Sequence, residues 1–232
     1  TVRLALLARQ PLFEIADKES IDFNLEKRGI LHFYHNKQDY DVAIRVNDLL
    51  NKGGLERCGV SNEEIKQIEP TLTGEYYAGF YCEGDATGDI HKYTTGLAEV
   101  TKKLGVKYRF GMDVTDIEHL TSGVEVKLQP SSENVELAPA EVEMLAADAV
   151  VVCAGVGSYQ LAELVQERVN VYPVKGYSIT VMLNDEESQQ NAPWVSLLDE
   201  SAKIVTSRLG KDRFRVAGTA EFNGYNRDIR AD

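Results

Sequence analysis

The chain has 232 residues, 43% of them hydrophobic, which is enough apolar material for one large domain or two small ones. Its net charge of −12 argues against a polyanionic partner, so no nucleic-acid binding is expected. Cys58, Cys82 and Cys153 are odd in number, widely spaced and free of histidine clusters, so neither a disulfide framework nor a metal site is indicated. A reducing compartment is the simpler reading. No signal peptide is visible, and no apolar run approaches the roughly 18 residues of a membrane span.

Leu4, Leu7, Ala8, Leu12, Ile15 and Ala16 form a helical stripe that continues past Pro11, with a kink there. Phe23 to Tyr34 alternates as two short strands meeting near Arg28-Gly29, with Ile30 to Tyr34 the more apolar. Asn36 is an N-cap for a helix over Lys37 to Lys52, which Gly53-Gly54 terminates. Ser61-Asn62-Glu63-Glu64 matches a capping box, and Pro70 closes the helix that it opens.

Tyr76 to Cys82 reads as an aromatic strand feeding Glu83 to His91, a loop rich in acids and glycine. A helix over Tyr93 to Leu104 ends at Gly105. Short strands follow at Val106 to Phe110 and Val114 to Leu120, then a surface hairpin of Val124 to Leu128 with Val135 to Leu137. Past the middle come a helix over Tyr159 to Arg168 and a long strand, Val171 to Leu183, broken by Pro173 and Gly176. Strands at Val195 to Leu198, Lys203 to Arg208 and Phe214 to Ala217 close the series, with Leu209 to Asp212 as the last turn.

The most informative segment is Ala146 to Ser158. Val150-Val151-Val152-Cys153 reads as a buried parallel-type strand breaking into the small residues Ala154, Gly155, Gly157 and Ser158. Small residues past such a strand let a ligand approach the backbone. No Gly-x-Gly-x-x-Gly precedes it, and the chain opens at Thr1 already inside a helical pattern. A piece of a longer nucleotide-binding protein is therefore expected.

Individual residues leave alternatives open. His91 could shuttle protons near neutral pH, or be an ordinary histidine at a helix start. Asp85 and Asp89 could pair for acid–base work or a metal, or cap turns and the following helix. Cys153 could be a reactive thiol or a small buried hydrophobe. Tyr76, Tyr77, Phe80 and Tyr81 could line a pocket, but alternate residues on a strand are normally core on one face. Without family knowledge, the residues describe an α/β chain with one parallel-type strand feeding a ligand site and a large antiparallel sheet.

Val150 to Gly155 with Gly157-Ser158, followed by Val171-Tyr172-Pro173-Val174-Lys175-Gly176-Tyr177-Ser178, resembles the middle of the FAD-dependent D-amino acid oxidase superfamily. Ile68 to Leu72, Gly84 to Asp89, Gly105 to Gly111 and Val216 to Phe222 match in the same order, most closely in the branch of bacterial D-amino acid dehydrogenase small subunits.

The resemblance implies an α/β (α+β) flavoprotein: part of a Rossmann-type FAD domain, plus a substrate domain with a large mixed, mostly antiparallel sheet. Residues 1–19 would lead into the substrate domain, 20–105 and 171–232 would belong to it, and 106–170 to the FAD domain. FAD is the implied cofactor, with backbone groups of Val114 at the adenine end and Cys153, Ala154 and Gly155 near the pyrophosphate and ribose. His91, Lys175, Tyr177, Thr206 and Arg208 are the implied pocket candidates, each equally readable as an ordinary strand or turn residue.

The implied reaction is oxidative deamination of a D-amino acid to a 2-oxo acid and ammonia, by hydride transfer to flavin N5. Quinone or another carrier would accept the electrons, in a cytoplasmic protein attached peripherally to the inner membrane. The alternatives are oxidation of another amine, such as glycine, sarcosine or proline, or a non-catalytic binding module that retains the fold. The family's Gly-rich loop would lie upstream of Thr1, and its Gly-x-Arg-Pro and Gly-His-Gly segments downstream of Asp232. That arginine is the implied clamp for the substrate carboxylate. The chain alone is therefore expected to bind FAD poorly and to lack useful catalysis.

Overall fold

The computed structural model describes residues 1–132 and 141–229. The expected strand at Val135 to Leu137 lies outside the described residues. The chain divides into two compact units, Thr1–Leu104 with Gly176–Glu221, and Gly105–Lys175 with Phe222–Asp232. Residues 171–175 and 222–229 thus group with the second unit. The reason is local: the Tyr172 and Phe222 rings stack at 6.3 Å, and the Gly224 N–H donates to the Tyr172 hydroxyl.

The first unit opens with α1 (Val2–Lys18), β1 (Ile30–Tyr34), α2 (Lys37–Lys52), β2 (Cys58–Val60), α3 (Asn62–Ile68), β3 (Ala78–Cys82) and α4 (Ile90–Lys103). The second supplies β4 (Met112–His119), β5 (Val124–Pro130), β6 (Glu143–Ala147), a 3-10 turn at Gly155–Gly157 and α5 (Ser158–Leu164). Then follow β7 (Lys175–Met182), α6 (Glu186–Asn191), β8 (Ser196–Asp199), β9 (Ile204–Arg208) and β10 (Arg213–Glu221).

Seven strands form one sheet in the order β2-β3-β1-β8-β9-β10-β7. β1 and β8 run parallel, while β2 with β3, β3 with β1, β8 with β9 and β9 with β10 are antiparallel. The sheet is mixed and mostly antiparallel, as the resemblance implies. Alternation along β1 sends Leu31 and Phe33 into a core with Ile65, Val195 and Leu197, while Tyr34 packs with Ala43 and Phe80. Enclosing a side chain such as Leu31 stabilises the fold by about 2 kcal/mol.

Caps set the helix starts. Asn36 accepts from the Asp39 N–H at the start of α2, and Ser61 and Glu64 form the capping box of α3. Glu69, buried just after α3, accepts from the N–H groups of Thr71, Trp194 and Val195 and from the Thr71 hydroxyl, at 2.8–3.2 Å. One carboxylate thereby fixes the end of α3 against the entry to β8.

Several expectations are corrected. Phe23 to Arg28 makes only a Glu26–Thr87 bridge, because Asn24 at φ +55° breaks the extended run. Val106 to Phe110 is not a strand. It has no ladder partner among the described residues, and Tyr108 and Phe110 stack on each other at 5.4 Å. α5 ends at Leu164 instead of Arg168, with Gln166 at φ +58° just beyond it. The long strand begins only after Pro173, at Lys175. β2 and α6 were not expected: β2 has three residues, too few to show a period, and α6 is a short helix behind an Asp185–Ser188 capping box.

The largest departure is Val150 to Cys153. It is not a strand, and Val151 is 82% exposed. Among the described residues the sheet of the second unit holds β4, β5 and β6, all antiparallel, and offers this segment no ladder. A run of valines cannot form a strand without a neighbour to take its backbone hydrogen bonds.

Candidate functional site

In the second unit the nucleotide-site candidates fall on two backbone features. Val114 pairs with Leu128 and Asp116 with Lys127, so a bulge leaves Thr115 outside the ladder. Cys153 and Ala154 are exposed and lead into the 3-10 turn at Gly155. Gly155 has φ +55° with nothing within 4 Å of where a Cβ would stand. That conformation suits glycine, and the open space lets another group come up against its amide. Cys153 is a free, exposed thiol, not the buried hydrophobe that is the plainer reading of its sequence.

The pocket candidates are not brought together. Lys175 donates from Nζ to the Asp228 carbonyl at 2.7 Å, within the second unit. In the first unit, Tyr177 on β7 donates its hydroxyl to Glu221 at the end of β10. It lines a groove of about 530 Å³ on the sheet with Lys203, Arg215 and Gly218. Arg215 also donates to the Ser178 hydroxyl at 3.1 Å. Sequence reasoning does not single out Arg215; its alternation with Arg213 on one strand is the available signal.

Arg208 does not fit a ligand pocket. It is 1% exposed, lies over the Trp194 ring at 3.9 Å, and donates to the carbonyls of Gln189, Ala192, Gly210 and Lys211. Four of the five donors of a guanidinium are spent on holding backbone, which makes it a staple for the loops around β9. The Thr206 hydroxyl is shut off from solvent, with no hydrogen-bond partner among the described residues, so it cannot reach a ligand either. His91 is exposed in the first turn of α4, and its N–H donates to the Asp89 carboxylate.

The acidic loop is structural. Asp85 pairs with Arg9 of α1 at 2.9 Å, on the wall of a mostly apolar cavity of about 470 Å³. Asp89 is buried, caps α4 through the His91 and Lys92 N–H groups, and pairs with Arg213 at 2.7 Å. Burial alone would raise its pKa, but the Arg213 bond and those N–H groups outweigh this and hold it below the usual carboxylate range. Beside the loop, burial and then Asp85 push the Cys82 thiol up to about 11, so it stays protonated at neutral pH. The aromatic strand is core on one side: Phe80 is buried against Tyr34 and stacks with Tyr40 at 4.9 Å.

The family profile of the FAD dependent oxidoreductases, DAO, matches residues 1–232. The chain belongs to that family. It is 50% identical over its whole length to D-amino acid dehydrogenase 3 of Mesorhizobium japonicum, covering 54% of that protein. It is 38% identical over 231 residues to a D-amino acid dehydrogenase of Dechloromonas aromatica, covering 53% of it. The chain thus spans about half the length of the curated relatives it matches. Among solved structures, glycine oxidase of Geobacillus kaustophilus superposes with a TM-score of 0.76 at 19% identity, over 99% of this chain and 57% of that one. L-proline dehydrogenase of P. horikoshii gives 0.74 at 16%, over 94% and 56%. These two likenesses establish the fold.

FAD is the family's cofactor. The residues present fit part of it: the open, positive-φ Gly155 can take a phosphate or ribose against its amide, and the bulge beside Val114 leaves the Thr115 backbone outside the β4–β5 ladder.

Proposed function

We propose that this chain is part of an FAD-dependent dehydrogenase that converts a D-amino acid and water to a 2-oxo acid and ammonia. The observation that carries this reading is the 50% identity, over every residue of the chain, to a D-amino acid dehydrogenase. FAD, when bound, supplies the acceptor for the two electrons and the α-hydrogen that leave the substrate carbon. Ala154 and Gly155 would hold its pyrophosphate region, and Val114 its base edge, through backbone groups. Tyr177 and Arg215 are offered as polar groups toward the substrate side of the sheet, and Lys175 as a positioning residue held through Asp228. The electrons pass on to quinone or another carrier, from a protein attached peripherally to a membrane. Among the described residues no helix is long and apolar enough to cross one.

The test is turnover by the full-length protein of D-alanine against sarcosine and glycine, with an artificial electron acceptor. Oxidation of D-alanine with release of pyruvate and ammonia is expected. Activity on sarcosine or glycine, with none on any D-amino acid, overturns the substrate assignment. For the cofactor contact, Gly155→Val should lower the flavin absorbance retained on purification several-fold, since a β-branched residue is strained at positive φ and its side chain fills the open space. Undiminished flavin in that variant removes Gly155 from the site.

A further inference from the structure

The segment that follows β10 belongs to the second unit and is tied to it at several points. The Phe222 ring stacks on Tyr172 at 6.3 Å, and the Gly224 N–H donates to the Tyr172 hydroxyl at 3.0 Å. Lys175 Nζ donates to the Asp228 carbonyl at 2.7 Å, and the Asp228 N–H donates to Asn226 Oδ1 at 2.8 Å. Between these ties stands Tyr225, whose hydroxyl donates to the Val156 carbonyl at 3.2 Å. Tyr225 is 54% exposed, so core packing accounts for little of its placement.

Val156 is the middle residue of the turn Ala154-Gly155-Val156-Gly157-Ser158. A glycine on each side of it gives this turn more conformational freedom to lose than other residues would. The Gly157 N–H donates to the Ala154 carbonyl at 3.0 Å, which closes the turn from within. Nothing lies within 4 Å of where a Cβ of Gly155 would stand, so packing gives no support on that side. Among the described residues, Tyr225 is the one side chain that hydrogen bonds to the backbone of this turn. Its hydroxyl fixes the peptide joining Val156 to Gly157, one residue from the positive-φ Gly155.

A binding turn that is ordered only when its ligand arrives loses affinity to that ordering. The apparent affinity falls with the fraction of molecules already in the binding form, so a contact that raises this fraction tightens binding without touching the ligand.

We propose that Tyr225 is a positioning residue for the cofactor: its hydroxyl holds the Gly155–Gly157 turn in the shape that receives the FAD pyrophosphate. Its effect passes through the Val156 carbonyl. The proposal rests on the reading of that turn as part of the FAD site.

Tyr225→Phe removes the hydroxyl and keeps the ring. The test is titration of the full-length protein, stripped of flavin, with FAD, followed by the quenching of flavin fluorescence. Binding should be about two- to tenfold weaker in the variant, the usual worth of one neutral hydrogen bond. The flavin-free melting temperature should fall by no more than about 2 °C, the scale of an ordinary surface substitution. Gly155→Ala, which strains the same turn at positive φ, should weaken FAD binding by itself. Adding Tyr225→Phe to it should cost less than the product of the two single losses, because both changes act on one turn. Unchanged FAD affinity in Tyr225→Phe, a larger fall in its melting temperature, or a double variant whose loss reaches or exceeds that product would each overturn the proposal. A loss in Gly155→Ala with none in Tyr225→Phe overturns the role of Tyr225 alone. If the parent binds no FAD, or Gly155→Ala binds it as tightly as the parent, the reading of the turn as a cofactor site fails, and the role of Tyr225 fails with it.

Discussion

Ile30-Leu31-His32-Phe33 and Val150-Val151-Val152-Cys153 read much alike as apolar strands, yet Leu31 is fully enclosed and Val151 is 82% exposed. The difference lies in their neighbours. β1 has β3 on one side and β8 on the other, with Ile65 of α3 packed against its face. The valines have no ladder and no covering layer among the described residues. Composition predicts a tendency to be buried, and only the surrounding elements decide whether it is met.

The largest test of this contrast is Leu31→Ala. With neighbours on every side, the site can collapse little, so the substitution should cost about 3 kcal/mol, in the middle of the range for buried leucines. Chemical denaturation would read it as a lower midpoint at unchanged slope. A loss below about 1 kcal/mol would show that the pocket relaxes around the cavity, and would weaken the contrast.

A smaller effect comes from the buried polar groups that hold the first unit together. Asp89→Asn removes the ion pair with Arg213 and should cost about 1–2 kcal/mol at pH 7. The pH dependence has a definite sign. The carboxyl of Asp89 is held below its ordinary pKa in the folded chain, so its contribution is complete above the usual carboxylate range and is lost as pH falls through the depressed value. The gap in melting temperature between parent and variant should therefore narrow in acid. A gap that stays constant or widens below about pH 3 would assign the stabilisation to the cap geometry alone.

The same neighbours explain how much was legible. The helix starts at Asn36 and Ser61 follow from capping rules that each residue satisfies with residues close in sequence, and the strands at β1, β8 and β9 show in their own apolar and β-branched residues. What was hidden depends on partners far along the chain. Arg208 looks like a pocket arginine on a strand until Trp194 and four carbonyls close around it. Asp85 and Asp89 look like a pair in a loop, but each is matched to a different arginine, Arg9 and Arg213. The small-residue turn at Gly155 was legible because its use depends on the backbone, where glycine itself is the signal.

The smallest expected effect is at Val151. In a covered parallel strand, replacing a central valine by aspartate would bury an unpaired charge and cost several kcal/mol. On an open segment without a ladder, Val151→Asp should change the stability of the chain by no more than about 0.5 kcal/mol, the scale of ordinary surface substitutions. The comparison is best made by denaturing both proteins side by side, alone and with excess FAD. An equal midpoint without FAD, with a lower one for the variant when FAD is added, would mean that the valines are covered only in the bound state. A destabilisation above about 2 kcal/mol without FAD would mean that they are already packed, and the contrast with Leu31 would fail.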